Sequence, residues 1–382
     1  MFWSASFLSS TSGIVLNEVT RMKVIAMYLP QYHEVEENNE WWGNGYTEWT
    51  AVKKGVAYRK DQYQPKVPLN ENYYDLSDET GSVWRWQANV ANQYGVYGFS
   101  IYHYWFENGK QLLQKPAEIL LNHPEIDIHY SFCWANESWT RTWYGVQSEI
   151  LMKQTYGDEK DWTKHFYYLL PFFKDPRYIR VDGRPVFHFY HSADISVFEE
   201  MIQCWNKLAL QNGFPGIFVV SANTGFVLEE RSDLVDAYYN FEPGYSAIHK
   251  ENKIERFSYG LSVVLKSFFN RFCRKKRLER VVNGKKFIKI MFRDDLITKK
   301  PIYPCVFPQW DNSPRRLYKG TFYKHLSPSL FREQIKKAKQ KYDGAEFIYI
   351  NAWNEWGEGA YLEPDCLNKY AYLEVIKDEF KG

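Results

Sequence analysis

Near its C-terminus the chain reads Glu346-Phe347-Ile348-Tyr349-Ile350-Asn351-Ala352 and then Trp353-Asn354-Glu355-Trp356-Gly357-Glu358-Gly359. The first seven residues form a short apolar run rich in strand-forming side chains, as a buried strand requires. The next seven change character at once, to two indoles, an amide and two carboxylates set among glycines. A strand that ends in chemistry-bearing side chains is what a parallel barrel needs, because the active site of such a fold sits at the C-terminal ends of its strands. Seven more runs of the same kind precede this one: Val24–Leu29, Val96–Tyr102, His129–Trp134, Pro185–Tyr190, Ile217–Ser221, Ala237–Phe241 and Ile302–Phe307.

Helical patterns separate most of these runs. Ser77 opens one that passes through Trp84, Trp86 and Val90 to Tyr94, with Gly95 as its stop. Asp158 opens Trp162–Phe173, Ser196 opens Val197–Gln211 ahead of Gly213, and Ser327 or Ser329 opens a helix reaching Tyr342 before Asp343-Gly344. Capping residues in front and glycine behind are the expected boundaries. Eight alternations of strand and helix predict an α/β protein, a single (β/α)₈ TIM barrel, rather than an open sheet. A dinucleotide-binding G-x-G-x-x-G after the first strand is absent, since Leu29 runs into Pro30-Gln31-Tyr32-His33.

The residues just past each strand are the candidate site. Strand one is followed by Tyr32 and His33, strand two ends in His103, Tyr104 and Trp105, and strand three ends in Trp134 with Asn136 and Glu137 beyond it. Strand four ends around His188 and Tyr190, strand five gives Asn223 and strand six Glu242. Strand seven gives Gln309, Trp310 and Asp311, and strand eight gives Asn354, Glu355, Trp356 and Glu358. Trp42, Glu48 and Trp49, from the segment after strand one, complete the expected substrate-binding set. Together they predict a wide cleft of aromatic, amide and acidic groups, suited to a neutral polyhydroxyl ligand. The chain holds 30 Tyr, 26 Phe and 15 Trp; most pack in the core, and those beside Gly or Asn are the better candidates for a flat sugar platform.

Glycoside chemistry requires one carboxyl to protonate the leaving oxygen and a second at the anomeric centre, about 5 to 5.5 Å apart in retaining enzymes. Glu355 and Glu358, three residues apart in a glycine-flanked turn, can share a pocket, and such a pair pushes its pKa values apart. A bare E-x-x-E is more often a solvated loop; the strand-eight position and the neighbouring Trp353, Trp356 and Glu363-Pro364 argue against that here. Glu48, Glu137 and Glu242, taken singly, read as sugar hydroxyl acceptors or as ion-pair partners of Arg59 or Arg141. No histidine pairs with a carboxylate at a metal-ligand spacing and no D-x-D is present, so neither metal nor cofactor is expected.

The stretch Asn351–Gly359 followed by Leu362-Glu363-Pro364 resembles the signature of glycoside hydrolase family 99 and of the related WbsX family. Tyr28-Leu29-Pro30-Gln31-Tyr32-His33, Trp41-Trp42-Gly43, Gly45-Tyr46-Thr47-Glu48-Trp49 and Phe132-Cys133-Trp134-Ala135-Asn136-Glu137 are also similar to WbsX. The resemblance implies that Glu355 acts as a base on the sugar 2-hydroxyl, which attacks its own anomeric carbon, and that Glu358 is the general acid/base. It further implies a glycosyltransferase of O-antigen or capsular polysaccharide assembly acting near a lipid-linked acceptor. A family 99-like endo-acting α-glycoside hydrolase (endo-mannosidase type) and a non-catalytic glycan-binding barrel are the alternatives. Gly357 stands where the hydrolases commonly carry His, so the contact made by that side chain is not carried over.

The net charge of +2 implies no attraction to nucleic acid. Five scattered cysteines, without C-x-x-C spacing, predict no disulfide framework or zinc site and fit a reducing compartment. The protein is therefore expected in the cytoplasm, at the periphery of the inner membrane. Residues 1–21 read as a disordered leader and 22–382 as the catalytic barrel with a basic insertion at about 250–300, between strands six and seven. That insertion holds sixteen Lys and Arg against five Asp and Glu, a net of +11. Within it residues 257–278 have helical apolar spacing and predict a basic amphipathic helix in contact with anionic membrane; a solvated barrel helix is the competing expectation.

Overall fold

The eight apolar runs become one ring of parallel strands. The computed structural model describes residues 22–140, 150–224, 233–273, 277–295 and 299–381, so the expected leader, 1–21, and Arg141 lie outside the described residues. In chain order the strands are β1 (Lys23–Tyr28), β2 (Gly98–His103), β3 (His129–Trp134), β4 (Arg184–Phe189), β5 (Phe218–Asn223), β6 (Ala237–Asn240), β7 (Ile302–Tyr303), β8 (Cys305–Val306) and β9 (Phe347–Ile350). Their order in the sheet is β7-β6-β5-β4-β3-β2-β1-β9-β8. Nine strands replace the expected eight because the seventh run is divided at Pro304, which has no N–H to give the ladder. On one side of the break β7 pairs with β6, and on the other β8 pairs with β9. The run therefore carries the ring from β6 across to β9, with the Tyr349 amide donating to the Pro304 carbonyl at 2.8 Å. The result is a nearly closed TIM-type barrel.

The helices follow their predicted starts with two corrections. The helix expected from Ser77 begins at Ser82, because Asp78 folds the preceding residues into a turn by accepting from Thr80 N at 3.0 Å, and Gly81 takes a left-handed φ of 70°. The helix expected from Ser196 begins at Phe198, with Val197 at the uncapped boundary. Asp158 caps Glu159–Lys174 through Lys160 N and Asp161 N, and Ser327 caps Pro328–Lys341 through Leu330 N. These helices bury one face on the barrel: from Phe198–Gln211 it is Met201, Ile202, Trp205 and Ala209.

The elements that carry the site are labelled here as α1 (Glu36–Trp42), α2 (Glu48–Lys53), α3 (Gly244–His249), α4 (Lys253–Phe272) and α5 (Ser313–Arg316). Between β6 and β7 the chain forms α3, α4, a strand at Arg280–Asn283 that pairs with Thr321–Lys324, and a helix at Gly284–Met291. The expected helix 257–278 is α4. It starts earlier, at a capping box between Asn252 and Glu255, and stops at Phe272; residues 274–276 lie outside the described residues.

Inside the barrel, His188 bridges the Phe132 carbonyl (3.0 Å) and the Tyr349 hydroxyl (2.8 Å), and Tyr239 stacks on Tyr349 with centroids 4.7 Å apart. This polar aromatic layer fills the ring below its C-terminal rim. All five cysteines are free.

Candidate active site

Glu355 is placed by its neighbours on both sides. The Asn354 side chain binds the backbone of Leu29 at the end of β1, accepting from Leu29 N at 2.7 Å and donating to Leu29 O at 3.0 Å. The Tyr32 hydroxyl donates to the Asn354 carbonyl and accepts from Trp356 N at 3.3 Å, so it holds the peptide units that flank Glu355. Trp356 is fixed in turn: its ring stacks on Tyr361 at 3.8 Å and its indole N–H donates to Glu363 at 2.7 Å. Glu363 also accepts from Tyr74 and Gln87, and burial pushes its carboxyl up to about 7. Glu358 is anchored by its carbonyl, which accepts from Asp311 N at 2.7 Å. Gly359, at a left-handed φ of 62°, permits the approach, since a Cβ there would sit 3.0 Å from the Asp311 backbone.

The two carboxylates meet on one cation. Arg315, on α5, reaches Glu355 at 2.8 Å through one terminal nitrogen, Glu358 at 3.1 Å through the other and Glu48 at 2.6 Å through Nε. Three carboxylates thus share one guanidinium, itself almost fully buried. The planar fork of arginine can satisfy such a set, whereas the ammonium of lysine offers a single point charge. Burial pushes Glu355 up to about 8, against the pull of Arg315 and with the help of the negative charges of Glu358 and Glu48. Asp311 shapes the turn that delivers Arg315 by accepting from Gln62 (2.9 Å), Gln64 (2.8 Å) and Ser313 N (3.1 Å).

This cluster lies in a cleft of about 670 Å³ at the C-terminal rim of the barrel. Of the residues expected to bind substrate, Trp42, Tyr104, Glu137, Tyr190 and Trp310 line it, together with Glu355 and Glu358. Trp139 and Tyr102 also line it, and burial holds the phenols of Tyr102, Tyr104 and Tyr190 well above their ordinary range, so they remain neutral donors. Trp139 packs edge-on against Tyr104 at 5.2 Å, making an aromatic corner.

The other expected binders do not reach the cleft wall and frame it instead. Tyr32, Asn354 and Trp356 hold Glu355, and Trp49 packs against Tyr32 and Trp356. Glu48 is a counter-ion of Arg315, not of Arg59, which pairs with Asp61 at 2.8 Å. His103 meets His165 nitrogen to nitrogen at 2.8 Å, and burial lowers it to about 3. Trp105 stacks flat on His165 at 4.2 Å and Trp134 meets the same imidazole edge-on, so all three are packing. His188 belongs to the barrel interior, and His33 is buried and lowered to about 4. Asn136 pins the end of β4 by bonding His191 N and O, while Asn223 donates to Asn240. Glu242 caps α3 through Ser246, and burial pushes it up to about 7. Gln309 accepts from Lys66 at 3.4 Å.

Among the cleft residues that escaped the sequence reading, two bear most on the chemistry. Arg315 follows Pro314 in a four-residue helix and has no spacing signal; only its position shortly after the strand-seven ending points to it. Asn38, on α1, borders the cleft fully buried, and neither its amide N nor its O finds a partner among the described residues.

The family profile of glycosyltransferase WbsX matches residues 24–376. The chain belongs to that family. Two Xanthomonas campestris pv. campestris proteins called WxcX, one from strain ATCC 33913 and one from strain B100, are each 32% identical over 95% of this chain. The chain spans about half the length of these relatives. Among solved structures, the GH99 endo-α-mannosidase of Bacteroides thetaiotaomicron aligns over 94% of this WbsX chain and 97% of its own, with a TM-score of 0.53 and 15% identity. A glycoside hydrolase-like protein aligns over 97% of both chains, with a TM-score of 0.56 and 14% identity. These structures share the fold. In this WbsX chain position 357 has no room for a side chain: a Cβ there would lie 1.8 Å from Glu48 Oε1 and 2.7 Å from Arg315 Nε. The space is taken by the Glu48–Arg315 ion pair.

Proposed function

We propose that this WbsX family chain is a carbohydrate-active enzyme that makes or breaks a glycosidic bond with retention, using Glu355 and Glu358 as its working pair. The observation that carries this is the convergence of both carboxylates on Arg315 at the rim of the cleft, with Glu355 pushed up to about 8. A carboxylate whose conjugate acid is that weak is a strong proton acceptor, as a base acting on a sugar hydroxyl must be. In the first step Glu355 takes the proton of the 2-hydroxyl, O2 bonds to the anomeric carbon, and the bond to the leaving oxygen breaks as Glu358 donates its proton. In the second step an acceptor oxygen opens the strained ring while Glu358 takes its proton and Glu355 returns one to O2. Arg315 balances the charge that moves between the two carboxylates.

Transfer in O-antigen or capsular polysaccharide assembly, onto a lipid-linked acceptor, is favoured by the family. Hydrolysis of an α-linked glycan in the endo-mannosidase manner is the second reading, favoured by the shared fold. The purified protein, incubated with lipid-linked oligosaccharide and candidate donors and separately with free α-glycans, separates the two by product. Glu358→Gln and Glu355→Gln are each expected to lose about 10²- to 10⁴-fold in rate while ligand still binds, and the double variant far less than the product of the two. A substrate with a good leaving group is expected to restore the first step of Glu358→Gln alone. Near-normal turnover in either single variant refutes the pair and moves a glycan-binding barrel ahead.

A further inference from the structure

Helix α4 turns its polar side inward. Toward the body of the protein it presents Tyr259, Ser262, Val263, Lys266 and Asn270, all buried or half-buried. The Asn270 amide is fully committed there, donating to Leu278 O and accepting from Leu278 N, both at 2.8 Å. Toward solvent it presents Ile254, Phe257, Leu261, Val264, Leu265, Phe268 and Phe272, each 49 to 79% exposed. Their spacing of three and four residues puts them on one continuous stripe. A helix that packs on a barrel does the reverse and faces its apolar stripe inward, as Phe198–Gln211 does in this same chain. A solvated barrel helix therefore does not describe α4.

Charge and position identify what covers the stripe. Lys253 and Arg256 stand at one end of it and Arg271 at the other, and residues 250–300 carry sixteen Lys and Arg against five Asp and Glu in a chain whose net charge is only +2. An apolar stripe between basic ends matches an anionic bilayer, with acyl chains for the rings and headgroups for the cations. Among the described residues no helix is long and apolar enough to cross a membrane, so the contact is with one leaflet. The helix that bears the stripe also borders the cleft, through Tyr259 on its inward side; Ile248 of α3, which lines the cleft too, is exposed.

We propose that α4 lies in the interface of an anionic membrane and sets the mouth of the cleft at that surface, where a glycan carried on a lipid is delivered to Glu355 and Glu358. Delivery rests on the function proposed above; docking does not.

The test uses the full chain and sucrose-loaded vesicles, either phosphatidylcholine alone or phosphatidylcholine with about a third phosphatidylglycerol. Cosedimentation is expected with the anionic vesicles, weaker by about 10-fold with the neutral ones, and reduced by salt. The variant Phe257→Ser/Leu265→Ser/Phe268→Ser changes only exposed side chains, so its circular dichroism and melting temperature stay those of the parent while vesicle binding falls by about 10-fold or more. Its turnover of a water-soluble glycan is expected to be unchanged and that of a lipid-borne one to fall. Glu355→Gln is expected to bind vesicles like the parent, which separates failure of the chemistry from failure of docking. Equal sedimentation with both vesicle types, or undiminished binding by the triple variant, overturns the proposal. So does a parent dimer that the triple variant converts to monomer, since a second copy then covers the stripe. Equal loss of activity on soluble and lipid-borne substrate also overturns it, by making α4 a support of the cleft wall.

Discussion

Replacing Gly357 with alanine adds one methyl group at the most crowded point of the site. The backbone there is not in the left-handed region that favours glycine, so space alone decides the outcome. The new Cβ would stand 1.8 Å from Glu48 Oε1 and 3.0 Å from Glu48 Cδ. Glu48 has little room to retreat, being wholly buried at the first turn of α2 with its own N–H bound to Gln31 O at 3.1 Å. The substitution therefore drives its carboxylate off Arg315. Breaking a buried ion pair costs roughly 3–5 kcal/mol when it strands a charge. Here the lower end applies, because Arg315 keeps Glu355 and Glu358 and only Glu48 is stranded. With an unfolding entropy of roughly 2.1 cal/mol/K per residue, a chain of this length loses about 4 °C in melting temperature for 3 kcal/mol. Thermal melts followed by circular dichroism measure it. The decisive comparison is the cycle with Glu48→Ala, which removes the obstructed carboxylate: the double variant is expected to melt above the sum of the two single losses. A Gly357→Ala protein within 1 °C of the parent, or a double variant that falls by the full sum, refutes the packing argument.

Further outcomes follow from the same geometry. Burial and the negative charges of Glu358 and Glu48 raise Glu355 well above the usual carboxylate range, so if Glu355 is the base, log kcat/KM is expected to rise with pH through a limb above that range. A limb that falls there instead makes Glu355 the acid and exchanges the two roles. Glu48→Gln removes one of the negative charges that raise Glu355, so the limb is expected to move to lower pH; an unmoved limb shows that the charge is not felt. Asn38→Ala discards two buried polar atoms that find no partner among the described residues. Since a buried polar group left unpaired costs about 1–3 kcal/mol, thermal melts are expected to show the melting temperature unchanged or higher; a clear fall refutes the absence of partners.

What the sequence determined on its own was the ring and its working edge. Short apolar runs separated by capped helices have few stable closures, and the residues at their C-terminal ends necessarily share one rim, so Glu355 and Glu358 could be singled out without coordinates. Local chemistry also announced Asp158 as a cap and narrowed another to Ser327 or Ser329, because a cap acts on amides two or three residues away, though Ser77 and Ser196 proved not to be caps. The division of the seventh run is a strictly local effect of Pro304, which has no N–H for the ladder.

Only the tertiary structure could sort the rim. Tyr32, Asn354 and Trp356 look like sugar contacts in a linear reading, yet their partners at Leu29, Tyr361 and Glu363 turn them into the frame that holds Glu355. His103, Trp105 and Trp134 look equally chemical and are packed around His165, which no strand ending contains. Arg315 is the clearest case. It joins Glu48, 267 residues away, to Glu355 and Glu358, and an ion pair across that separation leaves no periodicity to read. The same holds for α4. Its amphipathic spacing was plain in the sequence, but periodicity fixes only that a helix has two faces; which of them meets the protein is set by what the barrel offers, and the barrel took the polar one.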